Sequence, residues 1–266
     1  MVSLTIVTVT YNAEFELECT IESVLKQDYK ELKYIIMDGK STDGTIDIIK
    51  KYEKKFITKE VKYEYVSQKD NGIYDAMNKS LKYCDTDYVM FLNAGDMLFD
   101  KKTINSVFTE PSVVGQDIIY GDYYLYYKNF RKKIISKDYT SLPTGMISTH
   151  QSFLVKTQLL KDRPFDVRYT MTSEYDFFLE MFLNNKTFYH VALPIVYFKT
   201  GGISQQKPSI TLKELKDIKI NHGAYKSKSI ISEMYDQYRI VIKKKVTEKL
   251  PEVVRYFGYE KIEKLY

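Results

Sequence analysis

Cysteine is scarce in this 266-residue chain, and its two examples, Cys19 and Cys84, have neither metal-ligand spacing nor neighbouring histidines. That excludes a disulfide framework and a thiolate metal site, and both thiols are expected to be buried or half-buried. Long apolar runs are missing too. The longest, such as Tyr34-Ile-Ile-Met37 and Tyr88-Val-Met-Phe-Leu92, fall far short of the roughly 20 residues needed to cross a bilayer. No basic leader or cleavage site precedes Leu4-Thr-Ile-Val-Thr-Val9, so a cytoplasmic location is expected. With hydrophobic residues at 44% and charged residues at 28%, disorder and fibrous classes are excluded as well. The length suits one elaborated domain, or one domain with a helical tail.

Charge is nearly balanced except at the C-terminal end. Residues 207–266 hold 14 Lys and Arg against 8 Asp and Glu, a net +6, which leaves the first 206 at −1. A basic end on a neutral body fits peripheral contact with an anionic surface, either lipid headgroups at the inner membrane face or a partner; a solvated helical face is the alternative. Nucleic acid is not expected as a partner, because the basic residues fall on helical stretches without interleaved aromatics.

The first hundred residues alternate short β-branched runs with stretches whose apolar residues lie three and four apart. Strands are expected at Leu4 to Val9, Leu32 to Met37, Val61 to Val66 and Tyr88 to Leu92, and helices at Glu14 to Lys26, Thr45 to Phe56 and Asn71 to Tyr83. Most of the strands read as continuously apolar, which predicts a parallel sheet covered on both faces: a doubly wound α/β layer. From about Asp117 the pattern becomes α+β, with strands at Ile118 to Tyr127 and Gln151 to Val155 and a helix at Glu174 to Asn184. Two amphipathic helices follow Pro208, around Leu212, Leu215 and Ile218 and around Ile231, Met234, Tyr235, Tyr238 and Ile242. The expected division is a body of 1–206, split at 98/99, and a basic helical extension of 207–266. The 25 tyrosines are mostly read as packing.

In an open α/β sheet, ligands bind beyond the carboxyl ends of the strands. Each early strand here ends in a polar cluster: Thr8-Val-Thr-Tyr-Asn12, Asp38-Gly-Lys-Ser-Thr-Asp-Gly-Thr45, Ser67-Gln-Lys-Asp-Asn-Gly72 and Asn93-Ala-Gly-Asp96. One cluster alone is ordinary turn chemistry; four on one edge form a site. Asp38 can accept bonds from a base or sugar hydroxyl, Ser41 stands beside it, and Asp43 reads as a helix cap. Asn71, Asp75 and Asn78 are spaced to share a polar helical face that would line a pocket. Asp96, with Gly95 allowing close backbone approach, suits a hard divalent cation on a diphosphate.

In order and spacing, the four clusters resemble the nucleotide-binding motifs of glycosyltransferase family two, over residues 3 to 98. The resemblance implies a GT-A fold, with a Rossmann-like, doubly wound, mostly parallel sheet followed by an α+β acceptor half. It implies a nucleotide-diphosphate sugar as donor, UDP-sugar favoured, with Thr10, Tyr11 and Asn12 near the nucleotide, Asp38 on the base, and Asp70 against base or ribose. Asn71, Gly72, Asp75, Asn78, Asn93, Ala94 and Gly95 complete the donor edge. Asp96 would hold Mn2+ or Mg2+ as the one acid its motif supplies. Further on, His150-Gln-Ser-Phe-Leu154 resembles the strand below the acceptor site, Ser173-Glu-Tyr-Asp-Phe-Phe178 the segment with the catalytic base, and Gly201-Gly202-Ile203-Ser204 the loop over the donor. Glu174 is then the expected base, with Asp176 next in line. Gln151 would lie toward the acceptor, a glycan or lipid-linked hydroxyl, and His150 is an acceptor contact, a metal ligand or a strand-end histidine bonded to backbone. Transfer with inversion, in polysaccharide or glycolipid synthesis, is the function implied. Two alternatives stay open: an inactive sugar-nucleotide or glycan-binding protein, and a sugar nucleotidyltransferase, against which the absence of a Gly-rich basic loop after the first strand counts.

Overall fold

The computed structural model describes residues 1–127, 130–200, 207–225 and 260–261. Its first half alternates β1 (Leu4–Thr10), α1 (Leu17–Leu25), β2 (Leu32–Asp38), α2 (Thr45–Thr58), β3 (Lys62–Ser67), α3 (Ile73–Ser80) and β4 (Tyr88–Phe91). These four strands lie in the order β4-β1-β2-β3, all parallel. Every residue of β1 and β2 is buried. Because side chains alternate across a strand, Val7 and Val9 enter one core with α3 residues Tyr74 and Met77, while Leu4 and Ile6 enter the other with α1 residues Leu17 and Ile21. Only β3 alternates between exposed and partly buried residues, because it is the edge strand.

The second half builds β5 (Met97–Leu98), α4 (Thr103–Thr109), β6 (Ile118–Tyr127), β7 (Phe130–Ile134), β8 (Phe153–Lys156), α5 (Thr157–Asp162), α6 (Ser173–Leu183), β9 (Phe188–Lys199), α7 (Pro208–Asn221) and β10 (Glu260–Lys261). The sheet continues from β4 through antiparallel β8 and β6 to β7 and β10. The strand expected at Gln151 to Val155 begins later, because His150–Ser152 forms a 3-10 turn. The sequence gives little sign of β9: Pro194 interrupts its pattern where the pairing with β6 shifts register at Gly121 and Asp122. This long strand pairs with β6 and β5 and ends at Lys199, beside the strand edge that carries the candidate site.

Both thiols are free, Cys84 buried and Cys19 partly so. Pro208 opens α7 as expected, but the expected boundary at 206/207 separates elements that pack together. Ile218 is fully buried and Glu214 is only 8% exposed. The second expected C-terminal helix, around Ile231 to Ile242, and Gly201 and Gly202 of the expected donor loop lie outside the described residues. No helix of the described residues is long and apolar enough to cross a membrane.

Candidate active site

The loops after β1, β2 and β3 are tied to one another. Asn12, at φ 49°, accepts the Thr42 amide on its Oδ1 at 2.8 Å and donates its own amide to Ser41 Oγ at 2.8 Å. Asp38 is 1% exposed. Its carboxylate accepts the Lys40 amide at 3.1 Å, the Ser41 amide at 3.2 Å, the Ser67 hydroxyl at 2.6 Å and the Ser41 hydroxyl. Four protein donors fill its acceptor capacity, which corrects the expectation of a direct bond to a base: Asp38 shapes the loop that a base would meet. Asp43 stands one residue before the N-cap of α2, which is Gly44, and accepts the Thr45 amide at 3.1 Å in the turn that leads into the helix, so the expected side-chain cap does not form. Tyr11 is 63% exposed on the same edge.

Asp70 reaches this edge because residue 39 is glycine: a Cβ there would lie 2.6 Å from Asp70 Oδ2 and 3.4 Å from the Tyr11 ring. Its other oxygen accepts the Gly72 amide at 2.9 Å. The polar face expected of Asn71, Asp75 and Asn78 does not form. Asn71 precedes α3, and Asp75 reaches back to its amide at 2.8 Å in the manner of a capping box while pairing with Lys79 at 2.8 Å. Asn78 is engaged elsewhere, donating to Phe165 O at 2.8 Å and accepting the Phe165 amide at 2.9 Å. A carboxamide matches a peptide unit atom for atom, so Asn78 fastens α3 to the segment before α6 and lines no donor pocket.

After β4 the chain turns so that Asp96 is 4% exposed. Its Oδ1 accepts the Lys199 amide and its Oδ2 the Gln151 side chain, both at 2.8 Å. Burial pushes its carboxyl up to about 7 against these two donors, which pull it down. The turn is supported from α1, where Thr20 Oγ1 accepts the Gly95 amide at 2.9 Å and donates to Asp96 O at 2.7 Å. Gly95 sits at φ 95°, where a Cβ would also press on the Lys199 stem at 3.2 Å. Each Asp96 oxygen keeps one lone pair, and Asn93 Oδ1, in the same turn, is buried without a protein partner. Hard oxygen donors of this kind fit a divalent cation whose remaining ligands are phosphates and water. Thr10 Oγ1, Gln68 Nε2 and Ser173 Oγ are likewise buried without a protein partner, the first two at strand ends.

Glu174 stands in the first turn of α6. Tyr74 of α3 donates its hydroxyl to Glu174 Oε2, and His150 Nδ1 lies 3.9 Å from Oε1. Burial raises the Glu174 carboxyl to about 7, the Tyr74 bond pulling the other way. Burial also lowers His150 to about 4, so its ring is neutral, and Asn93 Nδ2 donates to its Nε2 at 3.2 Å. The result is a largely enclosed carboxylate that titrates near neutral pH and has one strong donor. Asp176, the second expected catalytic acid, points away: it accepts the Arg163 guanidinium and pairs with His222 Nε2 at 2.8 Å. Arg163 also bonds Glu180 at 2.8 Å. Arg163 thus bridges both acids of this cluster, and the Asp176–His222 bond ties the C-terminal end of α7 to α6.

Several supports lacked a clear signal in the sequence. Thr20 sits among the apolar residues of α1 and Tyr74 inside a motif otherwise read for its amides and acids. Glu214 lies in a stretch read as a basic amphipathic helix for an anionic surface. His190, given no role from sequence, bonds buried Asp122 at 2.9 Å and stacks on Tyr120.

Residues 5–183 match the sequence model of Glycosyl transferase family 2. A PGL/p-HBAD biosynthesis glycosyltransferase of Mycobacterium bovis is 27% identical over 203 residues, covering 73% of this chain and 76% of its own length. An Escherichia coli UDP-Glc:alpha-D-GlcNAc-diphosphoundecaprenol beta-1,3-glucosyltransferase is 33% identical over 123 residues, 46% of each chain. Among solved structures, S. aureus TarS 1-349 in complex with UDP superposes with a TM-score of 0.64 at 18% identity. That alignment covers 83% of this chain and 65% of the TarS chain.

Proposed function

The chain belongs to Glycosyl transferase family 2, and on that premise we propose that it transfers a sugar from a nucleoside-diphosphate donor, a UDP-sugar, to an acceptor hydroxyl with inversion and with the help of a divalent cation. The observation that carries this reading is a pair of acids both raised to about 7 by burial, Asp96 after the β4 turn and Glu174 on α6, with His150 between their segments: Asn93 of the Asp96 turn donates to its Nε2 at 3.2 Å, and its Nδ1 lies 3.9 Å from Glu174 Oε1.

The nucleotide end of the donor would lie against Tyr11, Asn12, Gly39 and Asp70, over the loop that Asp38 shapes. Mn2+ or Mg2+, bound between Asp96 and the donor's phosphates, would neutralise the charge of the departing diphosphate. Glu174, oriented by Tyr74, takes the proton of the acceptor hydroxyl as that oxygen bonds to the anomeric carbon and the bond to the diphosphate oxygen breaks. A single displacement of this kind inverts the anomeric centre and requires no protein nucleophile. Neutral His150 would border the acceptor side. A lipid-linked glycan acceptor fits the basic C-terminal end and the name of the E. coli relative, and contact with an anionic inner membrane face follows the same reasoning.

A thermal-shift panel of nucleoside diphosphates with and without Mn2+ tests the donor and cation assignments, because ligands that bind the native state raise its stability. UDP should stabilise the protein more with Mn2+ than without, and UDP release from UDP-sugars should accompany it. Binding without turnover of any donor would favour an inactive sugar-nucleotide-binding protein instead. Equal stabilisation with and without Mn2+ would remove the cation from the scheme.

A further inference from the structure

Glu214 lies on α7, beyond the residues matched to the family. It is 8% exposed, and its side chain accepts four hydrogen bonds from one turn. Oε1 accepts the Thr170 amide at 2.8 Å and the Thr170 hydroxyl at 2.9 Å. Oε2 accepts the Met171 amide and the Thr172 hydroxyl, both at 2.9 Å. Thr172 in turn starts α6, since its carbonyl accepts the amides of Tyr175 at 3.0 Å and Asp176 at 3.3 Å. Glu174 sits between them. A charged clamp with four donors from three consecutive residues leaves this turn little freedom.

We propose that Glu214 is a positioning residue for the catalytic base, fixing the Thr170–Thr172 turn and thereby where Glu174 stands against the acceptor hydroxyl. The proposal rests on the reading of Glu174 as base. Glu214 acts by charge as well as by geometry: burial is the main influence that raises Glu174 and Tyr74, and the Glu214 carboxyl adds to it in both. The other groups facing Glu174 are Tyr74 from α3 and His150 from the 3-10 turn, the latter neutral. Asp176 on the same helix is engaged with Arg163 and His222. Among the described residues, none of the loops after β1, β2 and β3 bonds to the clamp, so the donor should bind as before when the clamp is loosened.

The test measures UDP release from UDP-glucose and UDP-N-acetylglucosamine by the full chain across pH, for the wild type, Glu214→Gln, Thr172→Val and Glu174→Gln. In Glu214→Gln the amide NH2 faces donors, so clamp bonds are lost and the charge disappears. Its kcat is expected to fall about tenfold or more, the scale on which misplacement of a catalytic group acts, with the donor KM unchanged and the acid limb of kcat moved to lower pH. Thr172→Val keeps the charge and loses one bond, so kcat falls while the limb stays in place. A merely structural Glu214 would not move the limb. Wild-type kcat and limb in Glu214→Gln beside an inactive Glu174→Gln overturn the proposal and leave the base assignment standing. An active Glu174→Gln sinks the base assignment itself. If Glu214→Gln does not fold, Thr172→Val decides: reduced kcat with unchanged donor KM supports the clamp, and wild-type kcat overturns it.

Discussion

Gln151 Nε2 donates to Asp96 Oδ2 at 2.8 Å, joining the turn before β8 to the acid that closes the β4 turn. A residue expected on the acceptor side is thus the direct support of the proposed cation ligand. Removing an outer-shell partner of this kind weakens metal binding by about tenfold to a hundredfold. Gln151→Ala should therefore raise the Mn2+ concentration needed for UDP-dependent thermal stabilisation by that factor, while Asp96→Ala abolishes cation-dependent transfer. Undiminished activity in Asp96→Ala would remove the acid from the metal role.

Glu174→Gln keeps the shape of the side chain and cannot take a proton. The expected result is normal UDP binding by calorimetry and transfer slower by at least about a hundredfold, within the range for general-base catalysis. Near-normal rates would place the base elsewhere, and the ion pairs that hold Asp176 make it a poor substitute.

Tyr74→Phe removes the hydroxyl that draws the Glu174 carboxyl downward from its burial-raised position. The base must be ionised to act, so wild-type kcat should fall as pH drops through about 7. In Tyr74→Phe that limb should move to higher pH, with part of the rate recovered under alkaline conditions. A pH profile superimposable on the wild type would show that the bond does not tune the base.

The same raised carboxyl affects stability. Between the ordinary value of 4.5 and about 7, Glu174 holds a proton in the folded state and has lost it in the unfolded state. Its stabilising contribution is full below 4.5 and is lost as pH rises through about 7. Thermal unfolding should therefore show Glu174→Gln gaining on the wild type as pH increases, and a constant difference across that window would contradict the buried, proton-holding carboxyl.

Asn78→Ala leaves the Phe165 amide and carbonyl without their partner. An unsatisfied, partly buried backbone pair costs on the order of 1–3 kcal/mol, which urea unfolding will read, while affinity for UDP should be unchanged. Loss of UDP affinity without loss of stability would return Asn78 to the donor pocket.

The sequence by itself determined the alternation of β1 through β4 with α1 to α3, and with it the gathering of four polar loops at one sheet edge. Side-chain period is a local property, and a parallel sheet brings its strand ends together once the period is known. It also placed Asp96 in the turn after β4 and Glu174 in the first turn of α6, positions that follow from the elements they adjoin. Only the tertiary structure decided what each polar group is bonded to. Asp38 saturates on its own loop and on Ser67, Asn78 faces Phe165, Asp176 meets Arg163 and His222, and Glu214 reaches Thr170–Thr172. Each of these sets includes a contact between segments at least 13 residues apart in sequence, and a carboxylate or amide looks the same in sequence whichever donor it meets. Its partner is fixed only when packing removes it from water and leaves one donor within reach.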